Sequence, residues 1–238
     1  MIIILSPAKT FQRTNYEHKR FPFFQDEARG LNARISKMTV TEIEREMGVS
    51  KSIAQDVFAY SHAFGRALQP AIHSYYGAAY KALDAASLSD GDMRYAEEHL
   101  RILSALYGML KPLDGISFYR LDYKDRILGD LYSYWRPKLS EYLSQESNNR
   151  IIVDLASQEF SRVLAGFDMV KISFKTHHKG KLRTMSMDAK RMRGAFARRM
   201  IERRIEDVRL LKEFDISGYR YADTHSNDRE YVFIKEGE

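Results

Sequence analysis

Met1-Ile2-Ile3-Ile4-Leu5, closed off by Ser6-Pro7-Ala8-Lys9, is short, β-branched and apolar at every strand position. A strand with one wet face alternates. An unbroken apolar run suits a strand covered on both faces, as in the parallel core of an α/β sheet. Ile151-Ile152-Val153-Asp154-Leu155 reads as another strand, and Ser157 after it opens a helix to about Leu164. Val170-Lys171-Ile172-Ser173-Phe174-Lys175 alternates instead, which predicts a strand with one wetter face. His178-Lys179-Gly180-Lys181 reads as a tight turn, with Leu182 to Met187 pairing back as a hairpin. Tyr231 to Lys235 is a final strand. That hairpin argues against a purely parallel sheet. Residues 1–238 show no repeat, low-complexity stretch or Pro/Gly/Ser linker. The expectation is a single α/β domain with a mixed sheet flanked by helices.

The helical segments follow from spacing and caps. Thr41 to Met47 reads as a short helix capped by Thr41 or Thr39, with Gly48 as the residue that closes it. Ser50 caps the next helix, whose Ile53, Val57, Tyr60, Phe64 and Leu68 form one apolar stripe until Pro70. Leu131 to Leu143 reads as helix, started or interrupted by Pro137. Arg101 to Ala105 fits either the end of a helix from Met93 or a buried strand, and periodicity leaves both open. From Asp188 a long helix runs to about Leu211. On its wheel Met192, Phe196 and Met200 share one face, and Ile201, Ile205 and Val208 lie nearly opposite. Such a helix packs on two sides or breaks near Met200.

Composition bounds the function. The chain has 238 residues, 44% apolar and 12% aromatic, enough to build a core and to exclude intrinsic disorder. With Cys at 0, a disulfide scaffold, thiolate zinc, an iron–sulfur cluster and a Cys nucleophile are excluded. No run reaches the roughly 20 apolar residues of a membrane helix, and the apolar start is too short for a signal peptide. A soluble, cytoplasmic protein that does not engage a membrane is expected. The net charge of +6 is unevenly spread. Lys171 to Lys212 holds 14 basic and 4 acidic residues, whereas Glu213 to Glu238 holds 3 and 7. Such a block attracts polyanions; it is equally the composition of a solvated, Arg-rich helix.

Several constellations are candidates for chemistry. Gly48-Val49-Ser50 between two helices has the form of a helix-hairpin-helix, in which the second helix's N–H groups, with Ser50 and Lys51, meet a phosphate. The plain alternative is a helix–helix turn, and the acidic first helix (Glu42, Glu44, Glu46) favours it. The basic residues after Asp188 form no single stripe, so Lys190, Arg191 and Arg193 at the helix start are its best ligand contacts. His177-His178 point apart along a strand or turn without a nearby carboxylate, so no metal site is expected there or elsewhere. Ser6, His99 and Asp154 are triad types that nothing places together. There is no P-loop, no G-x-G-x-x-G and no G-x-S-x-G. Asp154 and Glu159, at a strand's C-terminal edge, are candidates for acid–base work or simply a helix cap and a surface charge.

A series of strings running in order over nearly the whole chain resembles the YaaA family of bacterial peroxide stress proteins. They are Ser6-Pro7-Ala8-Lys9-Thr10, Tyr80-Lys81-Ala82-Leu83-Asp84-Ala85, His99 through Asp114 and Tyr119-Arg120-Leu121. They continue with Leu131-Tyr132, Trp135, Asp154-Leu155-Ala156-Ser157, Lys190, Arg193-Gly194 and Gly218-Tyr219. The resemblance implies a DNA-binding protein that protects against hydrogen peroxide by lowering available iron, with a helix-hairpin-helix and a basic cleft. The hairpin would fall on Gly48-Val49-Ser50 with Lys51, and the cleft on Lys9, Arg101, Arg120, Lys175, Lys190 and Arg193. It implies double-stranded or structured DNA as partner and a strand rather than a helix at 101–105; no cofactor is expected, and a monomer is favoured over an oligomer. Two positions depart from the family pattern: Asp122-Tyr123 stands where Glu-Met is usual, and Asp154 where Asn is usual. A carboxylate at Asp154 would repel a phosphate. The alternative function is an enzyme acting on a nucleotide, nucleoside or nucleic-acid base. Its grounds are the site-like types Ser6, Lys9, Ser104, Tyr107, Arg120, Ser157 and Lys190. With no thiol to oxidise, peroxide sensing by Cys is excluded.

Overall fold

The computed structural model describes residues 1–178 and 181–236. In chain order its elements begin β1 (Ile2–Leu5), α1 (Gln25–Ile35), α2 (Val40–Met47), α3 (Lys51–Ala63), β2 (Gln69–Pro70), α4 (Ala71–Ser74), α5 (Ala78–Leu83) and α6 (Asp90–His99). Next come β3 (Leu100–Ser104), β4 (Gly108–Leu110), β5 (Gly115–Ile116), α7 (Leu131–Ser147), β6 (Ile152–Asp154), α8 (Gln158–Ser161), β7 (Met169–His178) and β8 (Lys181–Arg183). The chain ends with α9 (Ser186–Glu202), β9 (Asp215–Ile216), β10 (Tyr219–Tyr221) and β11 (Glu230–Lys235).

The main sheet runs β4-β3-β1-β6-β7-β11-β10-β9, with β8 paired to β7. Strands β3, β1, β6, β7 and β11 are mutually parallel, and β4, β8, β9 and β10 pair antiparallel. The apolar run at the chain start is thus the sheet's interior: Ile2, Ile3 and Ile4 have 0% exposure. The mixed α/β architecture and the 170s hairpin stand as the sequence predicts. Two residues of the expected turn, Lys179 and Gly180, lie outside the described residues. Helices α5 and α6 each pack on α9, which also lies against β1 and β7.

Several boundaries moved for identifiable reasons. Leu100–Ser104 is strand, registered on β1 as Ile3 with Leu100 and Leu5 with Ile102. Between α2 and α3, Thr39 is the cap and forms a reciprocal capping box with Glu42, while Gly48 closes α2 at φ 61°. Helix α3 stops at Ala63 rather than near Pro70, because Gly65 takes φ 82° and gives its N–H to Ser117 Oγ. Helix α9 begins at Ser186, so β8 is short and Asp188 lies inside the first turn, not at the cap. It ends at Glu202, and Arg204 at φ 48° turns the chain before a 3-10 stretch at Val208–Glu213. Met192, Phe196, Met200 and Ile201 are all at 0% exposure, and only a break there brings Ile205 inward as well.

Candidate functional site

The chain leaves β1 toward β3 on one side and leaves β6 toward β7 on the other. Between the carboxyl ends of β1 and β6 the two exits therefore part, and open α/β sheets bind their ligands at such a switch point. A crevice of about 550 Å³ lies there. Its walls are the loop Ser6–Thr10 after β1, Leu155 and Ser157–Phe160 after β6, Gly77–Tyr80 at the start of α5, and the first two turns of α9. The two loops are tied together: the Ser157 N–H donates to Ser6 Oγ at 2.8 Å. Tyr80 clamps the same loop by donating its hydroxyl to the Ser6 carbonyl at 2.9 Å.

Charge in the crevice is graded. Lys9 and Lys190 stand exposed at the rim, and Arg193 is set deeper, its Nε fully buried. Burial works against the Lys9 ammonium, but the hydrogen-bonded Asp122 carboxylate outweighs it and holds the lysine above its ordinary pKa. Burial lowers the Arg193 pKa, and the Asp154 carboxylate opposes that shift. Asp154 is 3% exposed and accepts the Ala156 N–H at 2.8 Å. Burial raises its pKa against the pull of that bond, Ser161, Arg193 and Lys171. It therefore acts as a counter-charge to Arg193 from within the protein rather than as a wall of the crevice.

Two polar atoms in this wall have nothing to bond. Among the described residues, three buried side-chain atoms lack a partner: Gln25 Oε1, Glu159 Oε1 and Arg193 Nε. Glu159 and Arg193 both line the crevice. A buried unpaired donor or acceptor costs free energy, so its presence calls for an explanation. One unpaired acceptor and one unpaired donor thus belong to residues that line a single crevice. Met185, at the N-terminus of α9, makes no side-chain capping bond.

The structure brings Lys9, Lys190 and Arg193 together, and Ser6 and Ser157 with them. Gly48, Ser50 and Lys51 lie on the α2–α3 turn, away from the crevice wall, where Ser50 Oγ accepts the Ile53 N–H at 3.4 Å. Arg101 is 1% exposed. It donates to the carbonyls of Glu97, Glu98 and Leu100 at the end of α6 and pairs with Glu146, so its charge is spent internally. Arg120 borders a small gap with Tyr60, Ser61 and Tyr119. Lys175 sits on β7 in register with Ile234. Ser104 belongs to a buried hydroxyl chain, with Tyr119 at 2.7 Å and Tyr75 at 2.8 Å beyond it. Tyr107 accepts the Ser117 N–H at 2.9 Å in the core. His99 bonds the Met1 carbonyl at 2.7 Å, at the opposite end of β1 from Ser6, so Ser6, His99 and Asp154 form no triad. Asp122 is the acidic partner of Lys9. Among the described residues no three His, Cys, Asp or Glu side chains are grouped to hold a metal, and no helix is long and apolar enough to cross a membrane. The wall Gly77–Ala79 carried no sequence signal, because a packing contact between distant helices creates it.

Fold and crevice together define a mixed α/β domain with a site at the switch point of its sheet, where Lys9, Lys190, Arg193 and Glu159 stand among apolar walls. The chain belongs to the peroxide stress protein YaaA family, whose model matches residues 1–225. It is 35% identical to a UPF0246 protein of Crocosphaera subtropica, across 99% of this chain and 100% of that one. A UPF0246 protein of Francisella tularensis subsp. novicida is 34% identical over the same shares.

Proposed function

We propose that this peroxide-stress family member acts by binding DNA, with backbone phosphates held in the switch-point crevice. Arg193 and the N-terminus of α9 would receive the phosphate, and Lys9 and Lys190 would attract it at the rim. The Gly48-Val49-Ser50 turn with Lys51 serves as a second phosphate contact in helix-hairpin-helix fashion. The observation that carries the reading is the unpaired Arg193 Nε, a buried donor at the base of a rim of exposed cations. Phosphate contacts carry no base code, so structured DNA is preferred over a particular sequence. The test is binding of labelled DNA against salt. Log affinity should fall linearly with log salt, with a slope of about −0.9 per duplex phosphate engaged. Arg193→Glu should abolish most of the binding and Lys51→Glu should weaken it. A flat salt response, or unchanged binding in both variants, overturns the proposal.

One observation favours a second reading, an enzyme acting on a nucleotide, nucleoside or base. Glu159 offers a buried, unpaired carboxylate oxygen, which repels phosphate but suits a base amino group or a hydroxyl. A space of about 550 Å³ is of small-molecule size. Incubation with nucleotides followed by chromatography tests it: turnover lost in Glu159→Gln supports it, and intact nucleotides remove it.

A further inference from the structure

Beyond Tyr80, which walls both spaces, the crevice adjoins a second hollow of about 360 Å³. It is built on the same chain segment. The loop after β1 continues through Thr10 and Phe11 to Tyr16, laid against residues 73–76. Gln12 N–H donates to the Ser74 carbonyl at 2.9 Å, Tyr76 N–H donates to the Thr10 carbonyl at 2.8 Å, and Phe11 bridges Tyr75 antiparallel. The surface from crevice to hollow is thus one pinned ribbon.

The side chains on it are unusual for an exposed surface. Among the described residues two tyrosines are exposed, Tyr16 at 51% and Tyr76 at 40%, and both border this hollow. Tyr16 lies flat on the His73 imidazole, ring centroids 4.0 Å apart at 12° between planes. His73 is buried beneath it, and that burial lowers its pKa, so it supports the tyrosine as a neutral ring. One face of Tyr16 is therefore backed and the other is left to solvent. Lys81 places its ammonium 4.2 Å from the centre of the Tyr76 ring. Arg13 stands exposed on the same rim. Rigid, outward aromatic faces interleaved with cations are how proteins hold unpaired nucleic acid: bases stack on the rings while cations follow the backbone.

We infer that the Tyr16–Tyr76 shelf stacks unpaired bases of a DNA strand whose phosphates enter the neighbouring crevice. The structured DNA this protein takes is then DNA with a single-stranded segment, such as an end, gap or fork. This inference rests on the proposed nucleic-acid role of the crevice. It adds that the strand is unpaired and names the rings that read it.

The test measures fluorescence anisotropy of three labelled probes: an oligomer of dT, a blunt duplex, and the same duplex with an unpaired dT tail. Wild type should prefer the dT oligomer and the tailed duplex. Tyr16→Ala and Tyr76→Ala should each weaken those two probes roughly 5- to 150-fold, the cost of one lost base stack, and leave the blunt duplex unchanged. Tyr16→Phe keeps the ring and should bind as wild type. Lys81→Glu should weaken all three. Equal affinity of wild type for blunt and tailed duplexes, or alanine variants that bind tailed DNA normally, overturns the shelf. If Arg193→Glu abolishes binding while the tyrosine variants do nothing, the crevice stands and the shelf alone falls. If wild type binds none of the probes, both fall.

Discussion

A methyl group placed on Gly194 would lie 1.8 Å from the carbonyl oxygen of Ala79. Helices α9 and α5 touch backbone to backbone there, and the contact sets the crevice. Arg193 is the preceding residue and Lys190 lies one turn earlier, while Ala78–Tyr80 forms the facing wall. Overpacking a core costs about 1–3 kcal/mol, and more where the obstacle is main chain. Gly194→Ala should therefore lose roughly 3 kcal/mol in urea unfolding and should also weaken DNA binding by spreading the two walls. Gly30 is the control: it is exposed inside α1 with nothing within 4 Å of an added methyl. Gly30→Ala should gain about 0.5–1 kcal/mol, because alanine is the better helix residue. A Gly194→Ala protein as stable as wild type would mean the helices part freely and the contact positions nothing.

Arg101 is predicted to be a residue of stability rather than of binding. It neutralises Glu146 and closes the carboxyl end of α6 with its remaining donors. Burial works against the Glu146 carboxylate, but Arg101 and Lys111 outweigh it and hold its pKa below the ordinary 4.5. A carboxylate so depressed adds stability above its unfolded pKa and loses it as pH falls through the folded one. Arg101→Met should cost about 3 kcal/mol at pH 7, since breaking such a pair strands the partner charge. The deficit should shrink as pH drops below 4.5 and Glu146 takes a proton. DNA affinity per folded molecule should not change. A deficit constant with pH would show that the helix-end bonds, not the ion pair, hold Arg101 in place.

These contrasts show what was legible in the chain. The apolar run Met1–Leu5 declares a strand covered on both faces, Ile151–Leu155 declares another strand, and the two pair as β1 and β6. The wheel of the 188–211 segment declares two buried faces, and the break after Glu202 satisfies both. Sequence could not show that Arg101 turns inward while Arg193 lines the crevice, because both are arginines in similar apolar company. Their difference lies in which carbonyls and carboxylates the fold brings near. Nor could the chain show Tyr16, whose role depends on His73 beneath it. Residues 8–22 have no period because they are an extended ribbon pinned by main-chain bonds, a structure that side-chain spacing does not encode.

The Lys9–Asp122 pair at the rim makes a milder prediction. Lys9 is half exposed, so losing the pair should cost less than about 1 kcal/mol. Asp122→Asn should release the ammonium toward solvent and remove one negative charge from the rim. DNA should then bind several-fold tighter at low salt, and the advantage should fade above about 0.5 M as the rim charges are screened. Weaker binding in Asp122→Asn would mean that the carboxylate is needed to aim Lys9 into the crevice.

Asp154 sets the balance of charge around Arg193. Its pKa is raised by burial, so the sign is opposite to that of Glu146: its neutral form is the one folding favours, and stability is lost as pH rises through the folded pKa. Asn at this position keeps an oxygen for the Ala156 N–H and removes the buried charge. Asp154→Asn should therefore be at least as stable as wild type at pH 7, with the difference vanishing as pH falls toward the ordinary 3.8, where the native carboxyl is protonated. It also leaves the Arg193 charge uncompensated from below. Phosphate-bearing ligands should then bind more tightly, with a steeper salt dependence. Thermal melts from pH 3 to 8 and DNA titrations at two salt concentrations decide the matter. A variant less stable than wild type at pH 7 would make the Asp154–Arg193 attraction stronger than the burial cost and reverse both expectations.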